Sequence, residues 1–184
     1  MTITSAEIRE TIGGYLDRYP DEKPDLSVVL ALLDQGTDVT SRKEFRGHAT
    51  AGAVLVDPDG KALFIRHVAL DRWLTPGGHL EPEDHSLAAA ALRELTEETG
   101  IPAEPVALAD ADPVHIDVHP IPANPGKGEP DHQHFDFRFV FRLIDGGAVT
   151  LQEEEVSGYS WGPLDMIADE TFRSRVREAL RGRK

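Results

Sequence analysis

The chain has 184 residues, with 19 lysines and arginines against 33 aspartates and glutamates, a net charge of −14. That length favours one domain with a real core, and the acidic balance argues against binding long nucleic acid, so an anionic substrate would need local help from metal or clustered cations. The absence of cysteine excludes disulfides and thiol nucleophiles and fits a cytoplasmic protein; no apolar run reaches transmembrane length, and MTITSAEIRE lacks the basic and apolar parts of a signal peptide.

The first forty residues read as helical. Ile8, Ile12, Tyr15, Leu16 and Tyr19 keep a helical period, Pro20 and Pro24 interrupt it, and Leu26 to Leu33 forms a second apolar segment ended by Gly36. Residues 1–40 are therefore expected to be a helical extension serving packing or homodimer formation, with residues 41–184 as the main domain. From His48 the pattern changes to strands. His48 to Val56, an Asp-Pro-Asp-Gly turn at residues 57–60 and Lys61 to His67 predict a hairpin.

Trp73-Leu-Thr-Pro-Gly-Gly reads as a strand end breaking into a glycine turn at Gly77 and Gly78, where backbone can approach a ligand closely. A helix follows from Leu87 to Thr99: Ser86 suits the N-cap, Gly100 the position past the last turn, and Pro102 prevents continuation. Leu87, Ala91 and Leu95 recur every four residues and should face the core. Off that stripe, Glu94 neighbours both Glu97 and Glu98, an arrangement that costs about 0.2–0.5 kcal/mol per like-charge pair. A divalent cation with oxygen ligands would reverse the sign of that cost. Arg93 is placed to pair with Glu97 at i, i+4.

These residues resemble the signature of the Nudix hydrolases, G-x5-E-x7-R-E-U-x-E-E-x-G-U with U aliphatic. Arg93, Glu94, Leu95, Glu97, Glu98, Gly100 and Ile101 match its second half. The first half departs from it: five residues on from Gly78 comes Asp84 rather than glutamate, and eight residues rather than seven separate Asp84 from Arg93. One extra residue between Gly78 and Ser86, with Asp84 standing in for the first glutamate, restores the pattern. Flanking features extend the resemblance over about residues 47–170. It implies an α/β fold of the α+β kind, an α/β/α sandwich around a central mixed sheet.

Further along, Pro105 to His119 carries short extended segments, and Phe135 to Ile144 is the clearest strand of all. His115-Ile-Asp-Val-His119 and Asp131-His-Gln-His-Phe-Asp-Phe-Arg138 flank a Pro- and Gly-rich loop. Strand alternation puts His132, His134, Asp136 and Arg138 on one face and Phe135, Phe137 and Phe139 on the other. If the polar face lines a cleft, Arg138 and Lys127 would hold phosphate oxygens and the histidines would reach substrate or a second metal. Histidines two apart on a strand also suit zinc, although the sequence fixes no third ligand. A solvent-facing strand is the plainer reading. Asp145-Gly-Gly then turns into Ala148 to Gln152, and Tyr159 to Trp161 precedes a final helix expected from about Leu164 to Arg181. Between them, Glu153, Glu154 and Glu155 are candidates for a further metal ligand or a general base.

The resemblance implies Mg2+- or Mn2+-dependent hydrolysis of a diphosphate linkage, X-P-O-P-Y, in a small-molecule nucleotide. Glu94, Glu97 and Glu98 would hold the metal, with Asp84 and one of Glu153 to Glu155 as further candidates. Arg93 would orient a carboxylate, Gly77 and Gly78 would offer backbone contacts, and Glu94 is the first choice of general base. ADP-ribose or nucleotide sugars are the favoured substrates, with nucleoside triphosphates open. A non-catalytic nucleotide-binding sensor is the rival of a different class; the cysteine-dependent isopentenyl diphosphate isomerase type is excluded by composition.

Overall fold

The computed structural model describes residues 2–68, 71–126, 128–145, 148–151 and 156–182. Helix α1 (Ser5–Arg18) starts at Thr4, whose hydroxyl accepts from the Glu7 backbone while the Glu7 carboxylate accepts from the Thr4 N–H, a reciprocal capping box. A 3-10 turn at Pro20–Glu22, where the first proline falls, leads to α2 (Ser27–Asp34). Ile8, Ile12, Tyr15, Leu26 and Val29 are all fully buried within this same chain. The apolar periodicity of the N-terminal segment is thus used up in packing.

Eight strands follow among the described residues: β1 (His48–Val56), β2 (Ala62–His67), β3 (Arg72–Leu74), β4 (Gly77–His79), β5 (Val106–Leu108), β6 (His115–Ile121), β7 (His132–Leu143) and β8 (Val156–Gly162). They make one mixed sheet, ordered β3-β2-β1-β7-β5, with β4 also on β1, β6 on β7 and β8 on β2. Only the β1–β7 pair is parallel, and its register sets His48 beside His134, Thr50 beside Asp136 and Gly52 beside Arg138. The hairpin partners β1 and β2 pair only at Val56 and Ala62. Along its first half β1 instead receives β4, with Thr50 opposite His79 and Gly52 opposite Gly77.

Alternation assigns the faces. Ala49, Ala51, Ala53 and Leu55 of β1 join Phe135, Phe137, Phe139 and Phe141 of β7 in a core shared with α1, α2 and α3 (Leu87–Thr99). Small residues on β1 let α3 lie close. On the opposite face Val54, Val56, Phe64 and Val140 meet Phe172, Val176 and Ala179 of α4 (Glu170–Arg181). The result is helices on both sides of a mixed sheet, as expected. The two sides are joined by Arg175 of α4, whose guanidinium donates to the Tyr15 hydroxyl (2.6 Å) and pairs with Glu22.

Three local expectations are adjusted. The last helix begins at Glu170 rather than near Leu164, because Asp169 caps it by accepting from the Phe172 N–H at 2.6 Å. Leu164–Met166 is a separate 3-10 turn. Tyr159 to Trp161 forms the middle of β8 against β2, and residues 148–151 lie outside the sheet, tied to α3 by the Thr150 N–H on the Thr99 carbonyl at 2.8 Å.

Candidate active site

Helix α3 runs over the residues expected from sequence, from the Ser86 cap to Gly100, whose φ of 66° ends the helix in the left-handed region. Its acidic side points at β4. The Gly77 N–H donates to Glu98 Oε2 at 3.0 Å, and the Glu94 carboxylate lies so close to Gly78 that a Cβ there would stand 2.6 Å from Glu94 Cδ. Glu98 is 4% exposed, Glu94 is half-buried and Glu97 is exposed. The three acids therefore run from the buried strand contact to the helix surface.

Arg93 organises this group. It donates from Nη1 to Glu94 Oε1 (3.0 Å) and Glu97 Oε2 (2.9 Å), from Nη2 to the His79 carbonyl (2.8 Å), and takes Asp84 in a bidentate fork at 3.0 and 2.9 Å. Asp84 and its acidic neighbours hold the guanidinium charged well above its ordinary range. Asp84, at 4% exposure, also accepts from the Glu81 N–H at 2.8 Å. The longer loop thus brings the shorter acid onto Arg93, and both Asp84 oxygens serve the arginine and the loop backbone. Gly77 and Gly78 are where a backbone approach needs them: Gly77 lies close against the β1 backbone at Ala51 and Gly52, and Gly78 against the Glu94 carboxylate.

The donor set suits the divalent metal that the acids imply: carboxylate oxygens are hard ligands, and Gly78 offers a cradle that a Cβ would fill with clash. Glu94, Glu97 and Glu98 fit Mg2+ or Mn2+ on that ground.

The opposite face of β4 carries a different chemistry. Alternation turns His79 away from Gly78 and toward His48 and His134, with ring centroids 5.1 Å from each. His132 and His119 complete the group, at 5.1 and 5.7 Å from His134. Burial, followed by the neighbouring imidazoles, pushes the His134 pKa down to about 2, and burial lowers that of His48. Next along β7, Arg138 donates to Asp136 (2.8 Å) and Asp117 (3.2 Å) and lies over the Phe172 ring. His132, His134 and Arg138 share the face predicted for them. Sequence reasoning missed His48 and His79 as their neighbours, because parallel pairing of β1 with β7 leaves no local signal; two histidines in the pattern of a strand end and of the glycine turn were the available hint. Lys127 and Glu153 to Glu155 lie outside the described residues.

Comparison with known proteins agrees with this architecture. The NUDIX domain model matches residues 46–182. A Lactococcus lactis subsp. cremoris protein named "Probable DHNTP pyrophosphohydrolase" is 34% identical over 144 residues, covering 75% of this chain and 80% of its own. The Escherichia coli K12 phosphatase NudJ is 44% identical over 63 residues, 33% of this chain and 40% of NudJ. Among solved structures, the E. coli dihydroneopterin triphosphate pyrophosphohydrolase shares the fold with a TM-score of 0.53 at 19% identity, over 71% of this chain and 92% of that one. With a mixed sheet between helices, an Arg-Glu-Leu-x-Glu-Glu face packed on Gly77 and Gly78, and a domain match spanning most of its length, the chain belongs to the Nudix hydrolases.

Proposed function

We propose that the chain is a Mg2+- or Mn2+-dependent pyrophosphohydrolase whose chemistry takes place on the Glu94, Glu97 and Glu98 face of α3. The observation that carries this reading is the packing of that face on β4: Glu94 and Glu98 lie against the backbone of Gly78 and Gly77, which offers no side chain to hold them off, and Arg93 ties Glu97 to Glu94 at the helix surface. A bound divalent ion would neutralise phosphate oxygens and acidify the attacking water. Glu98, fixed by the Gly77 N–H, presents its carboxylate at the base of the site. Arg93 is a positioning residue that draws Glu94 and Glu97 to a single guanidinium nitrogen while Asp84 anchors it. Glu94 is the general base of this proposal, since it lies at the mouth of the glycine turn and is half-buried rather than free in water.

The substrate class we propose is a nucleotide-like triphosphate cleaved to monophosphate and pyrophosphate. The specific support is the 34%-identical relative named for a triphosphate pyrophosphohydrolase; ADP-ribose and nucleotide sugars form the competing arm of the test. Arg138 is not assigned to phosphate, because Asp117 and Asp136 already offset its charge. With a net charge of −14, the protein would hold a small anionic substrate only through the metal on this face, and no described helix is long and apolar enough to cross a membrane.

The test is a panel of nucleoside triphosphates, dihydroneopterin triphosphate, ADP-ribose and nucleotide sugars with Mg2+, reading released pyrophosphate and monophosphate. Pyrophosphate from triphosphates, abolished in Glu97→Gln, is the expected result. Turnover of ADP-ribose with triphosphates untouched would replace the substrate, and unchanged turnover in Glu97→Gln would remove the site.

A further inference from the structure

Among the described residues, His48, His79 and His134 each offer a donor nitrogen, and these atoms all lie within 4.8 Å of one another. A tetrahedral zinc with Zn–N of about 2.0–2.1 Å spaces its nitrogens about 3.3 Å apart, a closure within reach of small side-chain rotations. The rings come from three different strands, β1, β4 and β7, and lie at 35°, 55° and 86° to one another.

The protonation pattern also points to a cation. His48 Nδ1 lies 3.1 Å from the Glu44 carbonyl, which can only accept, so Nδ1 carries the proton and Nε2 of the neutral ring is a bare lone pair. That Nε2 is buried and without a hydrogen-bond partner, in a residue 1% exposed. The neighbouring rings are braced alike: His132 Nδ1 is 2.8 Å from the Pro130 carbonyl and His119 Nδ1 is 3.0 Å from Asp117 Oδ2. An imidazole whose far nitrogen is anchored to a carbonyl or carboxylate is the usual posture of a metal ligand. Without a metal, the cluster leaves a buried acceptor with no donor.

We propose that His48, His79 and His134 bind one Zn2+ ion in a nitrogen-donor site separate from the carboxylate site on α3. The two sites share β4. Gly78 faces Glu94 on one side, His79 faces His48 and His134 on the other, and the His79 carbonyl accepts from Arg93. Zinc there ties β1, β7 and β4 together at the ends that carry the glycine turn, and it braces the backbone on which Glu94 and Glu98 rest. The inference depends on neither the substrate nor the hydrolytic reading.

The experiment uses the untagged full chain, stripped with chelator and dialysed, then titrated with Zn2+ in the presence of millimolar Mg2+. One Zn2+ per chain is expected, with a rise in Tm, and Co2+ in its place should give visible absorption of four- or five-coordinate character. X-ray absorption at the zinc edge should show an inner shell at about 2.0 Å with imidazole scattering. His48→Ala and His79→Ala should each weaken Zn2+ by roughly a hundredfold or more, since loss of a mere supporting contact already costs about 10–100-fold. Glu97→Gln should bind zinc as the wild type does while losing hydrolysis, which separates this site from the catalytic one. Should a histidine variant fail to fold, the absorption spectrum of the wild type decides alone. An oxygen-only shell, sub-stoichiometric zinc, or zinc lost with Glu97→Gln but kept in the histidine variants would overturn the proposal.

Discussion

Replacing Gly78 by alanine should damage activity while sparing the fold, whereas replacing Gly77 should cost stability first and, through the N–H that holds Glu98, activity with it. A Cβ on residue 78 would lie 2.6–2.7 Å from the Glu94 carboxylate atoms, whereas comfortable contact begins at about 3.5 Å. The carboxylate must retreat by about 1 Å, and it can, because it is the far end of a flexible side chain. A 1 Å displacement of a catalytic group costs about 10²-fold in rate, or about 2.7 kcal/mol of transition-state stabilisation. Residue 77 has no such outlet: its Cβ would meet Ala51 O and Gly52 Cα at 2.8 Å, both backbone atoms of β1. Relief there means parting β4 from β1, an overpacking cost of about 1–3 kcal/mol, read as about 2–4 °C of Tm per kcal/mol. The assay pairs Mg2+-dependent pyrophosphate release with thermal unfolding for both variants. Full turnover in Gly78→Ala, with unchanged Mg2+ dependence, would show that Glu94 does not work from its place against β4.

The Arg93 network carries a separate expectation: Asp84→Ala strips both fork contacts from a guanidinium that is only 23% exposed and should destabilise by about 2–3 kcal/mol in urea unfolding; a loss below about 0.5 kcal/mol would mean that the fork is incidental. Acid should weaken the metal-free protein in a defined window. The folded-state pKa of His134 is depressed to about 2 against about 6.5 unfolded, so the unfolded chain binds the extra proton, stability is complete above pH 6.5 and falls below it by up to about 1.4 kcal/mol per pH unit. His48 and His115, both lowered chiefly by burial, add in the same direction. Denaturant titrations between pH 7 and 5 should show that slope and its flattening in His134→Gln; an identical slope in the variant would assign the acid sensitivity elsewhere. Mn2+ is expected to restore part of the activity that Gly78→Ala loses with Mg2+, because the larger ion tolerates looser carboxylates, and equal loss with both ions would argue for a defect outside the metal ligands.

What could be read from sequence follows from how local each signal is. Helix α3 was legible to the residue because cap, apolar stripe and terminating glycine all lie within fifteen positions of one another. The hairpin turn at residues 57–60 was legible for the same reason, but the ladder that follows it was not. Nothing in the sequence says that β1 leaves β2 after one pair to receive β4 on that edge while β7 runs parallel along the other, and that arrangement is what gathers His48, His79 and His134. The role of Asp84 was open while it was a count of loop residues, and it took the position of the Arg93 guanidinium to show what the carboxylate faces. The final helix was expected from about Leu164, whereas the Asp169 side chain caps its first turn and starts it at Glu170.

The clasp of Arg175 on Tyr15 and Glu22 joins residues 160 and 153 positions apart. Contacts of such separation are slow to form, since the entropy of closing the loop is spent before any of them is made. On a ribosome, α1 must wait for α4 to emerge before Tyr15 gains its charged partner, so the first helix to be made is among the last to be locked. The same geometry couples the two chain regions through one side chain: loosening α4 takes the charged partner from Tyr15 and Glu22, while Ile8 and Ile12 stay packed in the core on the far side of the sheet.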